Sequence, residues 1–310
     1  MLYNKFSEYL KNRYGTKVYK LPVNIPVTCP NRDGKLSTEG CIFCGEEGAG
    51  FECLPNTMGI REQIIANSQY IGKNYGSEKF IAYFQNYSNT YLPVKILEEY
   101  ILEACMEDIA AIYISTRPDC ISCDCASMLK KIKADKKIDI VVELGLQTVN
   151  YKSLKIMNRG HSLAEFIDAV NTLNSNNLEV CAHYIVDFPT DDMDDVIEGA
   201  KILSALRIGQ VKCHSLYILK DTVLDEMYQS GAIKLITTDE YIERIITFLE
   251  YLNPEIVVQR LLGRAPKDRT SFCNWGLSWW KLRDMIEEKM RMEDRFQGKK
   301  FNYLNGSACI

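Results

Sequence analysis

Six short runs rich in β-branched and aromatic residues recur along the chain: KFIAYF (79–84), AAIYIST (110–116), IDIVVELG (138–145), LEVCAHYIVDF (178–188), VKCHSLYIL (211–219) and PEIVVQRL (254–261). Each is nearly continuous in apolar residues, as a strand buried on both faces must be. Helical patterns separate them. PVKILEEYILEACMED (93–108) places Pro93 at a first turn, and SLAEFIDAVNTLNSNN (162–177) opens with Ser162 followed by Glu165, a capping box. TDDMDDVIEGAKILSAL (190–206) and TDEYIERIITFLEYL (238–252) crowd acids into their first turns, where the helix dipole favours them. This alternation predicts an α/β fold of βα units around a parallel sheet. With a first strand near Lys20–Thr28, the units fall short of eight. The expected architecture is a partial (βα)6 TIM-type barrel with N- and C-terminal extensions. Residues 1–254 form the barrel and its N-terminal extension, and 255–310 form a C-terminal extension packed on it.

In such a fold chemistry sits in loops at the C-terminal ends of the strands. The loop after the first strand is TCPNRDGKLSTEGCIFCG (28–45), which holds Cys29, Cys41 and Cys44 and has almost no hydrophobic periodicity. It cannot fold around a core of its own. The following strand ends carry QNYSNTY, STRPD, LGLQTVN and DFPTD.

The chain has 310 residues, no apolar run long enough for a membrane span, and no secretory signal pattern in MLYNKFSEYLKNRYG. A cytoplasmic location is therefore expected. In that reducing compartment the twelve cysteines point to metal or catalysis more than to disulfides. Cys105, Cys181 and Cys213 lie inside apolar runs and read as small buried hydrophobes. The CISCDC stretch (120–125) lacks an obvious fourth ligand and reads as incidental. Three thiolates suit zinc or an iron–sulfur cluster. Cys53 would complete a four-thiolate zinc set, whereas three ligands on a cluster leave one iron open. Spacing alone does not separate the two.

The Cys-x11-Cys-x2-Cys loop after the first strand resembles the radical S-adenosylmethionine (SAM) superfamily. Within it the match is closest to the group related to the elongator catalytic subunit but lacking an acetyltransferase domain. TCPNRDG…GCIFC, YFQNYSNTY, STRPDC, VELGLQTVN, MNRGH, VKCHSLYILKDT, LLGRAP, WW and QGKKF carry the likeness from about residue 3 to residue 303. Two departures stand out. The cysteine spacing is longer than the superfamily's commonest, and the fifth strand ends in DFPTD where relatives read something like GLPGE.

The resemblance implies a 4Fe–4S cluster held by Cys29, Cys41 and Cys44, with SAM on the fourth iron. Reductive cleavage then yields a 5′-deoxyadenosyl radical that abstracts hydrogen from an unactivated carbon. It implies that Phe43 packs near the adenine and that Gln85, Ser88 and Asn89 meet the methionine amino group. Ser115, Thr116 and Arg117 would meet carboxylate or ribose, and Glu143 and Gln147 the ribose hydroxyls. It also implies a reducing electron donor such as flavodoxin or ferredoxin. His183 and His214 read as further substrate or cofactor contacts, and His161 as structural.

Net charge is −4, which argues against a nucleic-acid binder, but its distribution is uneven. Residues 1–20 and 255–310 each carry +4 and the middle −12. Lys5, Lys11, Arg13, Lys17 and Lys20 at one end, and Arg260, Arg264, Lys267 and Arg269 at the other, fit a local phosphate-binding face. Trp275, Trp279 and Trp280 cluster nearby. Exposed, they could stack a base; on an amphipathic LSWWKLRDMI helix, at least two of them pack inward. The resemblance supplies the substrate expectation: transfer RNA, with the carboxymethylaminomethyl side chain of wobble uridine converted toward aminomethyl. A small metabolite or peptide substrate, or a non-enzymatic zinc-stabilised RNA-binding module, are the alternatives that the residues leave open.

Overall fold

The computed structural model describes residues 1–45, 48 and 50–307. Its strands are β1 (Val18–Val23), β2 (Lys79–Phe84), β3 (Ile109–Thr116), β4 (Asp139–Gln147), β5 (Glu179–Ile185), β6 (Gln210–His214), β7 (Tyr217–Leu219), β8 (Val257–Arg260) and β9 (Thr270–Cys273). Its helices are α1 (Phe6–Tyr14), α2 (Ile60–Tyr75), α3 (Val94–Ala104), α4 (Cys123–Lys136), α5 (Tyr151–Ile156), α6 (Leu163–Ser175), α7 (Met193–Ala205), α8 (Val223–Gln229), α9 (Thr238–Tyr251) and α10 (Trp279–Met292). The sheet runs β1-β2-β3-β4-β5-β6-β8, and β7 and β9 form a separate ribbon. The pairs β1–β2, β2–β3, β3–β4 and β6–β8 are parallel. Successive strand–helix–strand crossovers build this order, which is that of a partial βα barrel. Contacts divide the chain into two compact units, Ser7–Gly145 with Gly160–Cys181, and Met1–Phe6 with Leu146–Arg159 and Ala182–Ile310.

In the first unit β2 is buried at every position after Lys79, and β3 at every position but Ala110. Such continuous burial requires cover on both faces. α3 turns Leu97, Ile101 and Ala104 inward at helical spacing, and α6 does the same with Phe166, Ala169, Val170 and Leu173. The capping box at Ser162 forms as expected: its backbone N–H donates to Glu165 Oε2 at 2.7 Å. The first strand ends earlier than Lys20–Thr28. Past Val23 the chain leaves the ladder because Asn24 N–H donates to Gln63 Oε1 at 2.8 Å, and Asn86 Nδ2 donates to Asn24 Oδ1 at 2.9 Å.

In the second unit VKCHSLYIL is not one strand but two. Leu216 N–H donates to the buried Asp187 Oδ1 at 2.7 Å, and Ser215 Oγ donates to Asn274 Oδ1 at 2.6 Å. These bonds pull the chain out of the sheet, and Tyr217–Leu219 then pairs antiparallel with β9. The chain ends are strapped together by polar side chains. Tyr3 and Lys5 both donate to Glu287 Oε1, at 2.9 and 2.8 Å. Gln297 accepts from Asn4 N–H and donates to the carbonyls of Asn253 and Ile256. Residues 308–310 of the expected C-terminal extension lie outside the described residues. No described helix is long and apolar enough to cross a membrane.

Helix α7 packs without clearance on β5. A Cβ added at the buried Gly199 would lie 2.3 Å from Tyr184 Oη and 2.5 Å from its ring, and Tyr184 is itself stacked on Phe248. Gly199→Ala gains about 1 kcal/mol of helix propensity but incurs overpacking of about 1–3 kcal/mol. A net loss of stability is expected in denaturant titration, and Tyr184→Phe in the same background should recover part of it.

Candidate functional site

The cysteine loop has no strand or helix, and polar cross-links replace the missing core. Arg32 is its clamp: its backbone N–H donates to Cys29 O at 2.8 Å, and its Nη2 donates to the carbonyls of Cys44 and Gly45, each at 2.8 Å. One side chain thus fixes the start of the loop to its end. Gly40, at φ +76°, turns the chain where a Cβ would lie 3.0 Å from Arg32 Nε. Asn31 Nδ2 donates to Cys41 Sγ at 3.5 Å. Cys41 is buried and Cys29 and Cys44 are half-buried.

Arg117 lies behind this loop. It is only 3% exposed and forks onto Asp119, with Nε to Oδ1 at 2.9 Å and Nη2 to Oδ2 at 2.7 Å. Burial opposes its charge, but Asp119 and then the Cys29 and Cys41 sulfurs hold its pKa above the usual guanidinium value. The MNRGH stretch explains itself here. Gly160 sits at φ +70°, and a Cβ on it would come within 2.9 Å of Asn31 Oδ1 and 3.4 Å of Arg117 Nη2.

The loops after β2 and β3 interlock beside it. Arg117 N–H donates to Ser88 Oγ at 3.1 Å, Ser88 and Thr116 hydroxyls meet at 3.3 Å, and Thr90 and Thr116 at 2.6 Å. Asn89 Nδ2 lies within hydrogen-bond distance of three carbonyls, those of Phe84, Asn86 and Ser115. Ser115 Oγ bonds the Tyr83 hydroxyl at 3.0 Å. Ser88, Asn89, Ser115, Thr116 and Arg117 therefore form one network. Within it Asn89 Oδ1 and Arg117 Nη1 are buried and have no hydrogen-bond partner among the described residues. Each such atom costs roughly 1–3 kcal/mol unless a ligand satisfies it. One accepts and one donates, which is the complement of an amino acid's ammonium and carboxylate.

The other expected residues are placed as follows. Phe43 is half-buried in the turn between Cys41 and Cys44, and Gln85 is half-buried at the end of β2. Gln147 ends β4 at φ +76°. Glu143 is fully buried on β4 and pairs with Lys20 of β1. Lys20, expected both in the first strand and among the cations of a phosphate-binding face, does lie in β1, but its ammonium is turned to Glu143. Lys5 pairs with Glu287 and Arg13 with Asp139, so three of the five N-terminal cations are neutralised by acids and that end offers little to phosphate.

Cys53 does not stand ready as a fourth thiolate. Its Sγ donates to Asn86 Oδ1 at 3.4 Å, and burial, with the charge of Glu52, pushes its pKa up to about 12. In CISCDC burial raises Cys120 to about 11 and Cys125 to about 12, while Cys123 is exposed at the start of α4. The three are spread over a turn and a helix. His161 is buried, with Nδ1 3.2 Å from Ser162 O. The His183 and His214 rings lie 5.4 Å apart, and Arg260 Nη2 is 2.7 Å from His214 Nδ1. Trp275 packs against Tyr241 and donates Nε1–H to Ile236 O at 2.7 Å. Arg264 stacks 3.7 Å over the half-buried Trp279, and Trp280 is 56% exposed.

The DFPTD loop is built from buried acid. Burial raises Asp187 from 3.8 to about 7, even though it accepts from Leu216 N–H. Burial likewise raises Asp191 to about 6 against its bond from Ser153.

Comparison with known proteins agrees with this geometry. Residues 23–203 match the Radical SAM superfamily and residues 208–292 the Radical SAM C-terminal domain. The chain belongs to the radical SAM superfamily, whose enzymes use a 4Fe–4S cluster and SAM. Protein YtqA of Bacillus subtilis (strain 168) is 30% identical over 309 residues, covering 99% of this chain and 95% of YtqA. A tRNA uridine(34) acetyltransferase of Methanocaldococcus jannaschii is 28% identical over 154 residues, 47% of this chain and 27% of that protein. Among solved structures, the archaeal Methanocaldococcus infernus Elp3 superposes with a TM-score of 0.66 at 18% identity, over 90% of this chain. This chain spans 64% of that one, and the likeness shows the fold. The chain is thus a radical SAM enzyme related to Elp3 and to tRNA-modifying proteins.

Two outcomes follow. After anaerobic reconstitution, iron and sulfide per chain should fall to background in Cys29→Ala, Cys41→Ala or Cys44→Ala and persist in Cys53→Ser; loss of metal in Cys53→Ser would restore a four-thiolate site. Because the folded pKa of Asp187 lies above its unfolded value, the folded chain binds the extra proton, and its stability falls as pH rises from about 4 to about 7. Asp187→Asn keeps an acceptor for Leu216 N–H and removes the charge, so unfolding free energy measured across that window should lose this decline.

Proposed function

We propose that the chain modifies the wobble uridine of transfer RNA, converting its carboxymethylaminomethyl side chain toward aminomethyl. The observation that supports this most is the likeness to a tRNA uridine(34) acetyltransferase across 47% of the chain. Trp280 is exposed and meets edge-on the ring of Trp279, over which Arg264 stacks, an arrangement that suits a partner with stackable bases and phosphates.

Cys29, Cys41 and Cys44 hold the cluster in this reading. Asn89 Oδ1 would accept from the α-ammonium of SAM and Arg117 Nη1 would donate to its carboxylate, giving each of these buried atoms a partner. Ser88, Ser115 and Thr116 hold those two side chains through the network described above, Gln85 follows the same strand end, and Phe43 would face the adenine and Gln147 the ribose. Glu143, engaged by Lys20, is assigned below rather than to the ribose. Bound there, cluster and SAM would supply a carbon-centred radical able to take hydrogen from a substrate C–H bond. The protein's part is to orient the reactants and keep water out. Electrons come from a donor of the flavodoxin or ferredoxin type.

The test is anaerobic incubation of reconstituted protein with SAM, a reductant and transfer RNA carrying carboxymethylaminomethyluridine. Release of 5′-deoxyadenosine should rise with this RNA, and nucleoside analysis should show the aminomethyl form. If 5′-deoxyadenosine forms but the RNA neither stimulates it nor changes, the substrate is a small metabolite or peptide.

A further inference from the structure

Lys20 of β1, Tyr83 of β2, Tyr113 of β3 and Glu143 of β4 share one face of the sheet in the first unit. The parallel register sets Lys20 opposite Ile81, Tyr83 opposite Tyr113 and Ser115 opposite Glu143, and residues two apart on a strand face the same way. The Lys20 ammonium lies 4.5 Å from the Tyr83 ring centroid and 4.3 Å from that of Tyr113, and it pairs with Glu143 Oε1. The Glu143 side chain is fully buried, while that of Lys20 keeps 19% of its surface. Ser115 ties this group to the proposed cofactor network: its hydroxyl bonds Tyr83, and its carbonyl accepts from Asn89 Nδ2 at 2.8 Å.

Such a pair is poor structural material. Withdrawing two ions from water costs several kcal/mol each, and apolar side chains of equal volume often stabilise as well or better. We propose that the Lys20–Glu143 pair is the receptor for the aminoacetate end of the substrate side chain, with the carboxylate taken by Lys20 and the secondary ammonium by Glu143. This rests on the wobble-uridine reading. The side chain –CH2–NH2⁺–CH2–COO⁻ is a zwitterion. A buried ion pair exchanges partners with a zwitterion without leaving net charge in the interior, which a lone buried cation or anion cannot do. The tyrosine faces hold the ammonium of Lys20 by cation–π attraction while its partner changes. Unmodified uridine offers neither charge. The aminomethyl product offers only a cation, which the Lys20 ammonium repels, so the same pair that admits substrate favours release of product.

The test measures binding of the full-length reconstituted protein to transfer RNA carrying carboxymethylaminomethyl, aminomethyl or unmodified wobble uridine. Wild type should prefer the first over both others. Lys20→Met and Glu143→Gln should each cut that preference by about tenfold or more, the worth of a hydrogen-bonded charge contact. The reversed pair, Lys20→Glu with Glu143→Lys, keeps an internal ion pair should the single variants fold poorly, and it too should lose the preference. Wild-type preference surviving in the folded Lys20→Met or reversed-pair protein overturns the proposal and leaves the wobble-uridine reading standing. No preference in wild type overturns both.

Discussion

Buried charge must find a partner, and the arrangement of the strand ends depends on how Arg117 finds its own. Its guanidinium forks onto Asp119 and lies near the Cys29 and Cys41 thiols. Its backbone N–H is held by Ser88. Through these contacts the β2 loop, the β3 loop and the cysteine loop are referred to one fixed cation. Gly160 lets the MNRGH turn close over the same spot, because any side chain there would strike Asn31 and Arg117. Within the Ser88–Arg117 network, Asn89 Oδ1 and Arg117 Nη1, one acceptor and one donor, have no hydrogen-bond partner among the described residues.

Much of this was readable beforehand. Strand–helix alternation marks the βα order because both faces of β2 and β3 are covered, which leaves continuous apolar runs. The capping box at Ser162 and the acidic first turn of α7 are local signals, and local physics settles them. The three-cysteine loop was legible from its lack of any other means of folding. The break at Ser215–Leu216 was not. It is imposed by Asp187 and Asn274, residues 29 and 59 positions away from their partners, and no property of VKCHSLYIL itself announces it. The pairing of Lys20 was missed for a related reason. A lysine in a short strand reads as solvated until its acid partner, 123 residues on, is known. Period-two alternation in β1, with Lys20 on the same face as Pro22, was the one available signal.

The two ends of the chain illustrate how net charge misleads. Both carry the same excess of basic residues, yet at the N-terminus Lys5, Arg13 and Lys20 are matched to Glu287, Asp139 and Glu143. At the C-terminus Arg283, Lys289, Arg291, Arg295, Lys299 and Lys300 are likewise paired with acids, while Arg264 stacks on Trp279, whose ring meets the exposed Trp280 edge-on. Equal counts thus conceal that much of the charge at both ends is tied into the fold. DFPTD adds a second lesson. Its acids are turned inward, where Asp187 and Asp191 hold neighbouring chain in place.

The Arg32 clamp bears on what gives the cysteine loop its shape. Protein hydrogen bonds from one residue join the first arm of the cysteine loop to its last, so the outline of the cradle is written into the polypeptide itself. Truncating the Arg32 side chain would therefore unfasten the last arm from the first.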